Sequence, residues 1–243
     1  PNPDIMCNKY IKFDMFAKEA RKLGADYIAT GHYARMKNGH LLRGIDDNKD
    51  QTYFLSQISK KQLENVLFPI GDMIKPEVRK IAEKFDLITA KKKDSTGICF
   101  IGERRFRQFL KHYLPCKAGD IVDLTGKKVG EHEGVIYYTL GQRRGLNIGG
   151  KSDGNGNRWY VVDKNVKENK LIVSQGEGEE LFSEGLVSYK INWIPKKPDM
   201  TEFDCSAKFR YRQPDQKVRV KIEGDGVRVY FAEKQRAVTP GQY

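Results

Sequence analysis

The chain has 243 residues, enough to form two or three domains with their own cores. Its 44 lysines and arginines outnumber 32 aspartates and glutamates, and the formal net charge of +12 indicates either a well-solvated surface or a polyanionic partner such as nucleic acid. The sequence contains no apolar run near the ~18 residues of a membrane helix and no signal-peptide pattern, so we expect a cytoplasmic protein without a membrane partner. Four scattered cysteines without a C-x-x-C pair argue against a disulfide framework and a zinc site, so we predict no metal site.

The first part of the chain has the pattern of an open α/β sheet. Apolar residues recur at helical spacing from Tyr10 to Leu23, and Gly24 suits a C-terminal cap. Ala25–Thr30 then reads as a short buried strand ending at Gly31 and His32, and ligands of such sheets bind at the carboxyl ends of strands. Four further helices are predicted, at Thr52–Ser59, at Lys61–Leu67, from Pro76 to Phe85, and at Phe106–Leu114.

After Pro115 the apolar pattern changes to a period of two, which predicts strands. The candidates are Asp120–Asp123, Val135–Thr139, Trp159–Asp163, Leu171–Ser174, Val187–Trp193, Ala207–Tyr211, Val218–Ile222 and Val227–Phe231. We therefore predict an α/β domain over residues 1–115, a central β-rich module over 116–180 and a C-terminal β-barrel over 181–243. The chain starts without Met and ends directly after a strand pattern, which we interpret as truncation at both ends, the barrel included.

Cys7 follows Asn2-Pro3-Asp4 closely, and this composition predicts a turn that leads into a helix. A helix amino end stabilises a thiolate and holds anions through its free N–H groups. Two interpretations are open on these residues alone: a reactive thiol beside Asp4, or a structural thiol beside a capping aspartate.

Cys99 lies in a polar, glycine-containing segment between three lysines and the pair Arg104-Arg105. An electropositive exposed loop favours the thiolate, which suits a nucleophile or a sulfur carrier. The alternative is a lysine-rich surface loop with an incidental cysteine.

Basic residues form two candidate phosphate-binding patterns. In Gly141-Gln142-Arg143-Arg144-Gly145 the glycines allow close backbone approach and the twin arginines can fork onto phosphate, although an ordinary hairpin loop fits equally well. Alternation within Lys208–Arg212 and again within Lys217–Lys221 predicts two basic strand faces over apolar ones. These faces indicate either an RNA-backbone surface or a solvated barrel exterior.

Eight runs along the chain, in order, resemble the tRNA-specific 2-thiouridylase family: N-P-D-I-M-C-N-K-Y-I-K-F (2–13), A-T-G-H-Y-A (29–34), D-D-N-K-D-Q-T-Y-F-L (46–55), F-P-I-G-D-M-I-K-P-E-V-R (68–79), D-S-T-G-I-C-F-I-G-E-R (94–104), Y-T-L-G-Q-R-R-G-L (138–146), K-F-R-Y-R-Q (208–213) and T-P-G-Q (239–242). The resemblance implies an adenine nucleotide alpha hydrolase-like domain with an open parallel sheet. It also implies an enzyme that uses Mg-bound ATP as a substrate to adenylate the C2 oxygen of the anticodon wobble uridine in tRNA, after which sulfur displaces AMP.

The same resemblance implies roles for individual residues. Cys99 would receive sulfur as a persulfide from a donor protein, and Cys7 would attack it and leave a Cys7–Cys99 disulfide; direct attack by the persulfide and release of hydrosulfide are both open. Asn2, Pro3 and Asp4 would meet the target base, with Asp4 as the acid/base. Gly31 would contact ATP. The implied tRNA contacts are His32, Lys49, Asp50, Gln51, Arg210, Tyr211 and Gln242, to which the residue pattern adds Arg143 and Arg144.

One family motif, the ATP pyrophosphatase loop S-G-G-V-D-S, does not occur in the sequence. We expect it before Pro1 in a longer protein, and we expect this chain alone to be unable to adenylate RNA. Two other functions fit the sequence: a non-catalytic tRNA-binding module, and a redox protein that uses Cys7 and Cys99 as a dithiol switch.

Overall fold

A computed structural model describes residues 2–92, 112–114, 116–148 and 157–243. These form two compact units, each described by itself below. The first comprises Pro1–Gly102, Tyr189–Thr201 and Gln242–Tyr243, and the second comprises Glu103–Ser188 and Glu202–Gly241. None of the helices in the described ranges is long and apolar enough to cross a bilayer.

The first unit begins with a continuous helical segment, which starts earlier than the Tyr10–Leu23 helix that the periodicity predicts. It consists of α1 (Pro3–Met6), a π-helical stretch (Cys7–Phe16) and α2 (Ala17–Lys22). Its start is fixed by the Asn2 side chain, which accepts from the N–H of Asp4 at 2.9 Å, and by Pro3 at the first helical position. Its end is fixed by Gly24, whose φ of +87° confirms the predicted cap.

The strands of this unit differ from the prediction in three places. The strand predicted at Ala25–Thr30 is only β1 (Ile28–Ala29). The next hairpin, β2 (Ala34–Lys37) and β3 (His40–Arg43), was not predicted. The helix predicted at Lys61–Leu67 is wrong beyond α3 (Lys60–Leu63), because Asn65 adopts a φ of +61° and the chain continues as β4 (Val66–Leu67), which pairs in parallel with β1.

Two other helix predictions are changed by the structure. The helix predicted at Thr52–Ser59 is a single 3-10 turn, Thr52–Leu55. The helix predicted to open with Pro76 is confirmed as α4 (Lys75–Lys84), but its apolar face stays open: Ile81 is 42% and Phe85 67% exposed. The core of the unit lies elsewhere, and its buried residues are Phe13, Ala34, Leu55, Ile58, Leu63 and Val66.

The second unit contains two four-stranded sheets. The first has β5 (Gly119–Val122), β6 (Lys128–His132), β7 (Trp159–Asn165) and β8 (Lys170–Gln175), in the order β6-β5-β8-β7. The strand predicted at Val135–Thr139 is wrong: Val135–Tyr137 form a 3-10 turn. In this turn Val135 and Tyr138 lie on the same side, and both are buried in the core of this sheet. The core also contains Ile121, Leu146, Val161, Leu171 and Val173.

The second sheet has β9 (Phe182–Tyr189), β10 (Glu202–Ala207), β11 (Gln216–Glu223) and β12 (Gly226–Arg236), in the order β10-β11-β12-β9. The alternation predicted in β11 is confirmed, since Val218 and Val220 are buried between exposed basic residues. The predicted basic strand face at Lys208–Arg212 is wrong. These residues follow the end of β10 as bends and a turn, in which the N–H of Gln213 donates to the Arg210 carbonyl at 3.1 Å.

Candidate active site

The Cys7 thiol is partly exposed, on a helix whose start is organised by Asn2. The side chain of Asn2 accepts from the N–H groups of Asp4 and Ile5, and its carbonyl accepts from Met6. The N–H of Cys7 itself donates inside the helix, to the carbonyls of Pro3 and Asp4. The free amide groups that we expected to hold an anion are therefore already satisfied, and Cys7 lies one turn further along than predicted.

The helix segment around Cys7 is tied to the chain between Phe54 and Gln62. The buried Asn8 side chain donates to the Phe54 carbonyl at 3.1 Å, and the Gln62 side chain donates to the Lys9 carbonyl at 2.8 Å. The Lys9 ammonium donates to the Gln57 side chain at 3.4 Å. Sequence reasoning missed Asn8 and Gln62; a polar residue on the buried face between Ile5 and Phe13 was the available signal.

The carboxyl end of β1 carries Thr30, Gly31 and His32. The N–H of Thr30 donates to the Leu67 carbonyl at 3.0 Å, which continues the pairing with β4. Gly31 is exposed, with no neighbouring atom within 4 Å of the position where a Cβ would lie. The predicted ATP contact is therefore an open backbone position at the strand end, where α/β sheets bind ligands.

His32 is buried, with its ring near those of Phe13 (5.7 Å between centroids) and Phe68 (6.2 Å). Its Nδ1 is 2.9 Å from the Thr30 hydroxyl. Burial, followed by the positive charge of Lys12, lowers the pKa of His32 from 6.5 to about 4. The imidazole is thus neutral at neutral pH and offers hydrogen bonds without a charge.

The loop that contains Lys49, Asp50 and Gln51 is fixed against the chain after His32. The Gln51 side chain accepts from the N–H of Tyr33 at 3.1 Å, and the Gln51 N–H donates to the Tyr33 carbonyl at 3.0 Å. The buried Asp50 carboxylate accepts from the Gly44 N–H at 2.9 Å and from a neighbouring hydroxyl. The structure therefore brings Gln51 beside His32, while Asp50 and Gln51 are hydrogen-bonded within the protein.

A residue without a predicted role, Asp46, organises the same loop. Its carboxylate accepts from the N–H of Lys75 at 2.8 Å, at the start of α4, and from the N–H of Asn48 at 3.1 Å. Its carbonyl accepts from the N–H groups of Lys49 and Asp50. The signal for this role was an aspartate at the start of a turn-forming D-D-N-K-D run.

The end of the chain returns to the first unit. The Tyr53 hydroxyl donates to the Gln242 side chain at 3.3 Å, and the Tyr243 hydroxyl lies 3.9 Å from the Met6 sulfur. Burial raises the pKa of Tyr53. The predicted tRNA contact Gln242 thus lies close to the segment that supports the Cys7 helix.

In the second unit, Arg210 is used to join protein segments. Its guanidinium donates to the carbonyls of Leu140 (3.3 Å) and Ala237 (2.7 Å) and to the Thr239 hydroxyl (3.1 Å). Tyr211 beside it is half-buried. Arg143 and Arg144 are exposed, whereas Arg210 is half-buried. In the part of the chain that the structure describes, neither Arg143 nor Arg144 forms an ion pair.

Cys99, with Arg104 and Arg105, lies outside the described residues, so the proposed meeting of Cys7 and Cys99 stays a prediction. Most of the predicted helix at Phe106–Leu114 lies outside them as well. Within the described ranges, no three His, Cys, Asp or Glu side chains are grouped so that they could hold a metal ion.

Comparison with protein families identifies three domains in the chain. Residues 1–103 match the family described as tRNA methyl transferase HUP domain, residues 107–175 its PRC-barrel domain, and residues 183–243 the aminomethyltransferase beta-barrel domain. The class is thus an α/β HUP domain followed by two β modules, as predicted. The chain belongs to the tRNA-specific 2-thiouridylase family, which confirms the resemblance.

Three relatives, each named tRNA-specific 2-thiouridylase MnmA, illustrate the similarity. The protein of Staphylococcus epidermidis is 56% identical over 251 residues, that of Streptococcus thermophilus 55% over 248, and that of Staphylococcus aureus 57% over 251. Each comparison covers 100% of this chain and 66% of the relative. The chain therefore spans just under two thirds of the length of these relatives.

Proposed function

We propose that this chain carries the sulfur-transfer part of a tRNA 2-thiouridine synthase. In this reaction ATP, as a Mg-bound substrate, adenylates the C2 oxygen of the wobble uridine, and sulfur then replaces AMP at C2. The reaction would occur in the cytoplasm, with a second protein delivering the sulfur. The three domains would follow the boundaries expected from sequence, 1–115, 116–180 and 181–243.

The main support is the convergence of distant segments on the helix that bears Cys7. Asn8 is bonded to the Phe54 carbonyl, Tyr53 to Gln242, and Met6 is in contact with Tyr243. Gln51 is bonded to Tyr33, directly after His32. Thus His32, which lies near Phe13 of this helical segment, and Gln242, which bonds to the residue before Phe54, are both on segments that contact the helix bearing Cys7.

The proposed sulfur step uses two thiols and one persulfide. The donor leaves a sulfane sulfur on Cys99, and the Cys7 thiolate attacks the inner sulfur of this persulfide. A Cys7–Cys99 disulfide forms and hydrosulfide leaves, carrying the electron pair of the broken S–S bond. Hydrosulfide then attacks C2 of the adenylated uridine and AMP leaves; if the persulfide attacks C2 first, the same disulfide forms when Cys7 releases the product. In both orders a thiol reductant must reopen the disulfide before the next turnover.

The remaining residues would position the substrates. Asn2, Pro3 and Asp4 would meet the target base, with Asp4 moving the proton. Gly31 would let ATP approach the backbone closely, as its open surroundings permit. The proposed tRNA contacts are His32, Lys49, Asp50, Gln51, Arg143, Arg144, Arg210, Tyr211 and Gln242. Because the side chains of Asp50, Gln51 and Arg210 already bond to protein groups, we expect these three to act by shaping the surface.

The test is mass spectrometry of the tRNA wobble base. A protein of the relatives' full length that contains this chain is incubated with ATP, tRNA and a persulfide donor. We expect Cys7→Ser and Cys99→Ser each to abolish 2-thiouridine while tRNA binding is kept, and Cys116→Ser, the matched control, to retain activity. Unimpaired thiolation in both active-site variants would reject the sulfur relay. The 243-residue chain alone should bind tRNA without thiolating it.

A further inference from the structure

The second unit contains an arginine-lined cavity of about 370 Å³. This volume falls in the ~300–1,000 Å³ range of small-ligand sites. The residues of its lining that matter here are Arg143, Arg144, Asn157, Arg158, Trp159 and Gln175.

Main-chain hydrogen bonds hold the walls of this arginine-lined cavity together. The N–H of Gly141 donates to the Val161 carbonyl at 2.7 Å, and the Val161 N–H donates to the Gln142 carbonyl at 3.0 Å. The Gln142 side chain closes the loop, since it accepts from the N–H of Thr139 and donates to the Arg144 carbonyl. The loop that carries Arg143 and Arg144 is therefore fixed alongside the start of β7.

The charged groups that line this cavity carry one sign of charge in the part of the chain that the structure describes. Among the described residues, the lining contains three guanidinium groups and no carboxylate. Two other arginines of the unit are paired with carboxylates: Arg219 with Asp204, and Arg236 with Glu177. Across the ranges that the structure describes, no such ion pair involves Arg143, Arg144 or Arg158. Three like charges around one cavity repel each other, so an anion that enters relieves this repulsion and gains forked hydrogen bonds.

The cavity also has an aromatic wall. Trp159 is half-buried and packs against the core of the first sheet, while it lines the cavity beside the arginines. An indole anchored in this way offers a flat surface on which a nucleobase can stack. The amide side chains of Asn157 and Gln175 add polar groups suited to base edges.

We infer that this cavity binds an unpaired nucleotide of the RNA substrate, with its phosphate on the arginines and its base on Trp159. The inference rests on the proposed function, because it names a second site for the same RNA. The site is built entirely within the second unit and uses Arg158 and Trp159, which sequence reasoning had not selected. Unpaired RNA fits better than a duplex, because a paired base has no free face for the indole.

The test uses the fluorescence of Trp159 as a local probe. The sequence contains two tryptophans, so Trp193→Phe leaves Trp159 as the single reporter in the 243-residue chain. We expect a tRNA anticodon stem-loop to quench this emission in a saturable manner. The double variant Arg143→Ala/Arg144→Ala should weaken binding about tenfold or more. It should also reduce the slope of log affinity against log salt concentration by ~0.7 for each phosphate that is no longer bound.

Two comparisons decide the assignment. The matched control Lys117→Ala/Lys167→Ala removes two exposed charges from the same unit outside the cavity, and it should bind RNA nearly as tightly as the parent. Equal weakening in the control and the arginine variant would overturn the site. Arg158→Ala is a second variant and should weaken binding in the same direction; unchanged affinity would count against the site.

Free AMP, ATP and inorganic phosphate separate the sources of the anion. Quenching by ATP at the concentration at which the stem-loop acts would reassign the cavity to a free nucleotide and overturn the RNA inference. Failure of the unsubstituted protein of the relatives' full length to form 2-thiouridine, with intact cavity binding, would reject the proposed function alone. RNA affinity that is the same in the parent and in the arginine variants of the cavity would reject this inference alone.

Discussion

The side-chain amide of Asn8 donates to the main-chain carbonyl of Phe54 at 3.1 Å, and the donor residue directly follows Cys7. Asn8 is 2% exposed, so the donor side chain is shielded from water. Through it, the helix that bears the proposed nucleophile is held by the segment that follows Gln51. This bond links the placement of the thiol to the loop that carries the proposed tRNA contacts.

We predict that Asn8→Ala lowers the free energy of unfolding by about 1–3 kcal/mol, because the Phe54 carbonyl loses its bond from the Asn8 side chain. Denaturant unfolding measures this change. Asn48→Ala, in an exposed turn, is the control and should stay within about 0.5 kcal/mol of the parent. Alkylation of Cys7 by iodoacetamide should also accelerate in Asn8→Ala, because the helix loses its anchor. Unchanged stability and unchanged alkylation would show that the bond does not hold the helix.

Stability should depend on pH through His32. Its pKa is about 4 in the folded protein and 6.5 in the unfolded chain, so between these values only the unfolded chain binds the proton. The contribution of His32 is therefore present above about pH 6.5 and is lost as the pH falls toward 4, to a total of about 3 kcal/mol.

Unfolding free energies at pH 7 and pH 5 measure this dependence. His32→Gln should flatten the difference between the two pH values, although its stability at pH 7 will fall because the ring packing is lost. His40→Gln removes an exposed imidazole and should keep the pH dependence of the parent. An equal pH dependence in the parent and in His32→Gln would assign the effect to other groups.

Substitution by alanine should lower the unfolding free energy strongly at Gly71 and hardly at all at Gly31. A Cβ on Gly71 would overlap the carbonyl group of Ala34, which is main chain and cannot give way, whereas a Cβ on Gly31 would meet nothing within 4 Å. We expect Gly71→Ala to cost more than about 2 kcal/mol of unfolding free energy and Gly31→Ala to remain within about 0.5 kcal/mol. Thermal unfolding compares the two variants directly. A stable Gly71→Ala protein would contradict the packing of this loop on β2.

Local signals account for the predictions that the structure confirms. Asn2-Pro3 specifies a helix start and Gly24 a helix end, because each acts through the residues next to it. The unpredicted hairpin of β2 and β3 carried a local signal as well: Asn38 and Gly39 both have positive φ, as a type I′ turn requires. The period-two pattern at Lys208–Arg212 led to a wrong strand prediction, because basic and aromatic residues can also alternate in a turn.

Pairing between distant segments could not be predicted in this way. The apolar run at Val66–Leu67 fits a helix or a strand, and only its pairing with Ile28–Ala29 decides between them. For the same reason, contacts within the candidate site could not be predicted from the sequence. The hydrogen bond of Tyr53 with Gln242 joins residues 189 positions apart, and no spacing rule reaches that far.

Arg210 offers a test of whether a basic residue acts on RNA directly or through the fold. Its guanidinium donates to the carbonyls of Leu140 and Ala237 and to the Thr239 hydroxyl, so Arg210→Ala removes these three bonds, while the Ala237 carbonyl keeps the Thr239 hydroxyl as a donor. We expect a loss of about 2–4 kcal/mol in unfolding free energy and faster amide hydrogen exchange around Ala237. Arg212→Ala removes an exposed arginine two residues away and should leave both unchanged. Arg210→Lys should restore part of the loss, because all three bonds come from the single terminal nitrogen Nη2 and a lysine ammonium also carries several N–H groups on one atom. If Arg210→Ala instead weakens tRNA binding at unchanged stability, the guanidinium contacts RNA directly and its protein bonds are incidental.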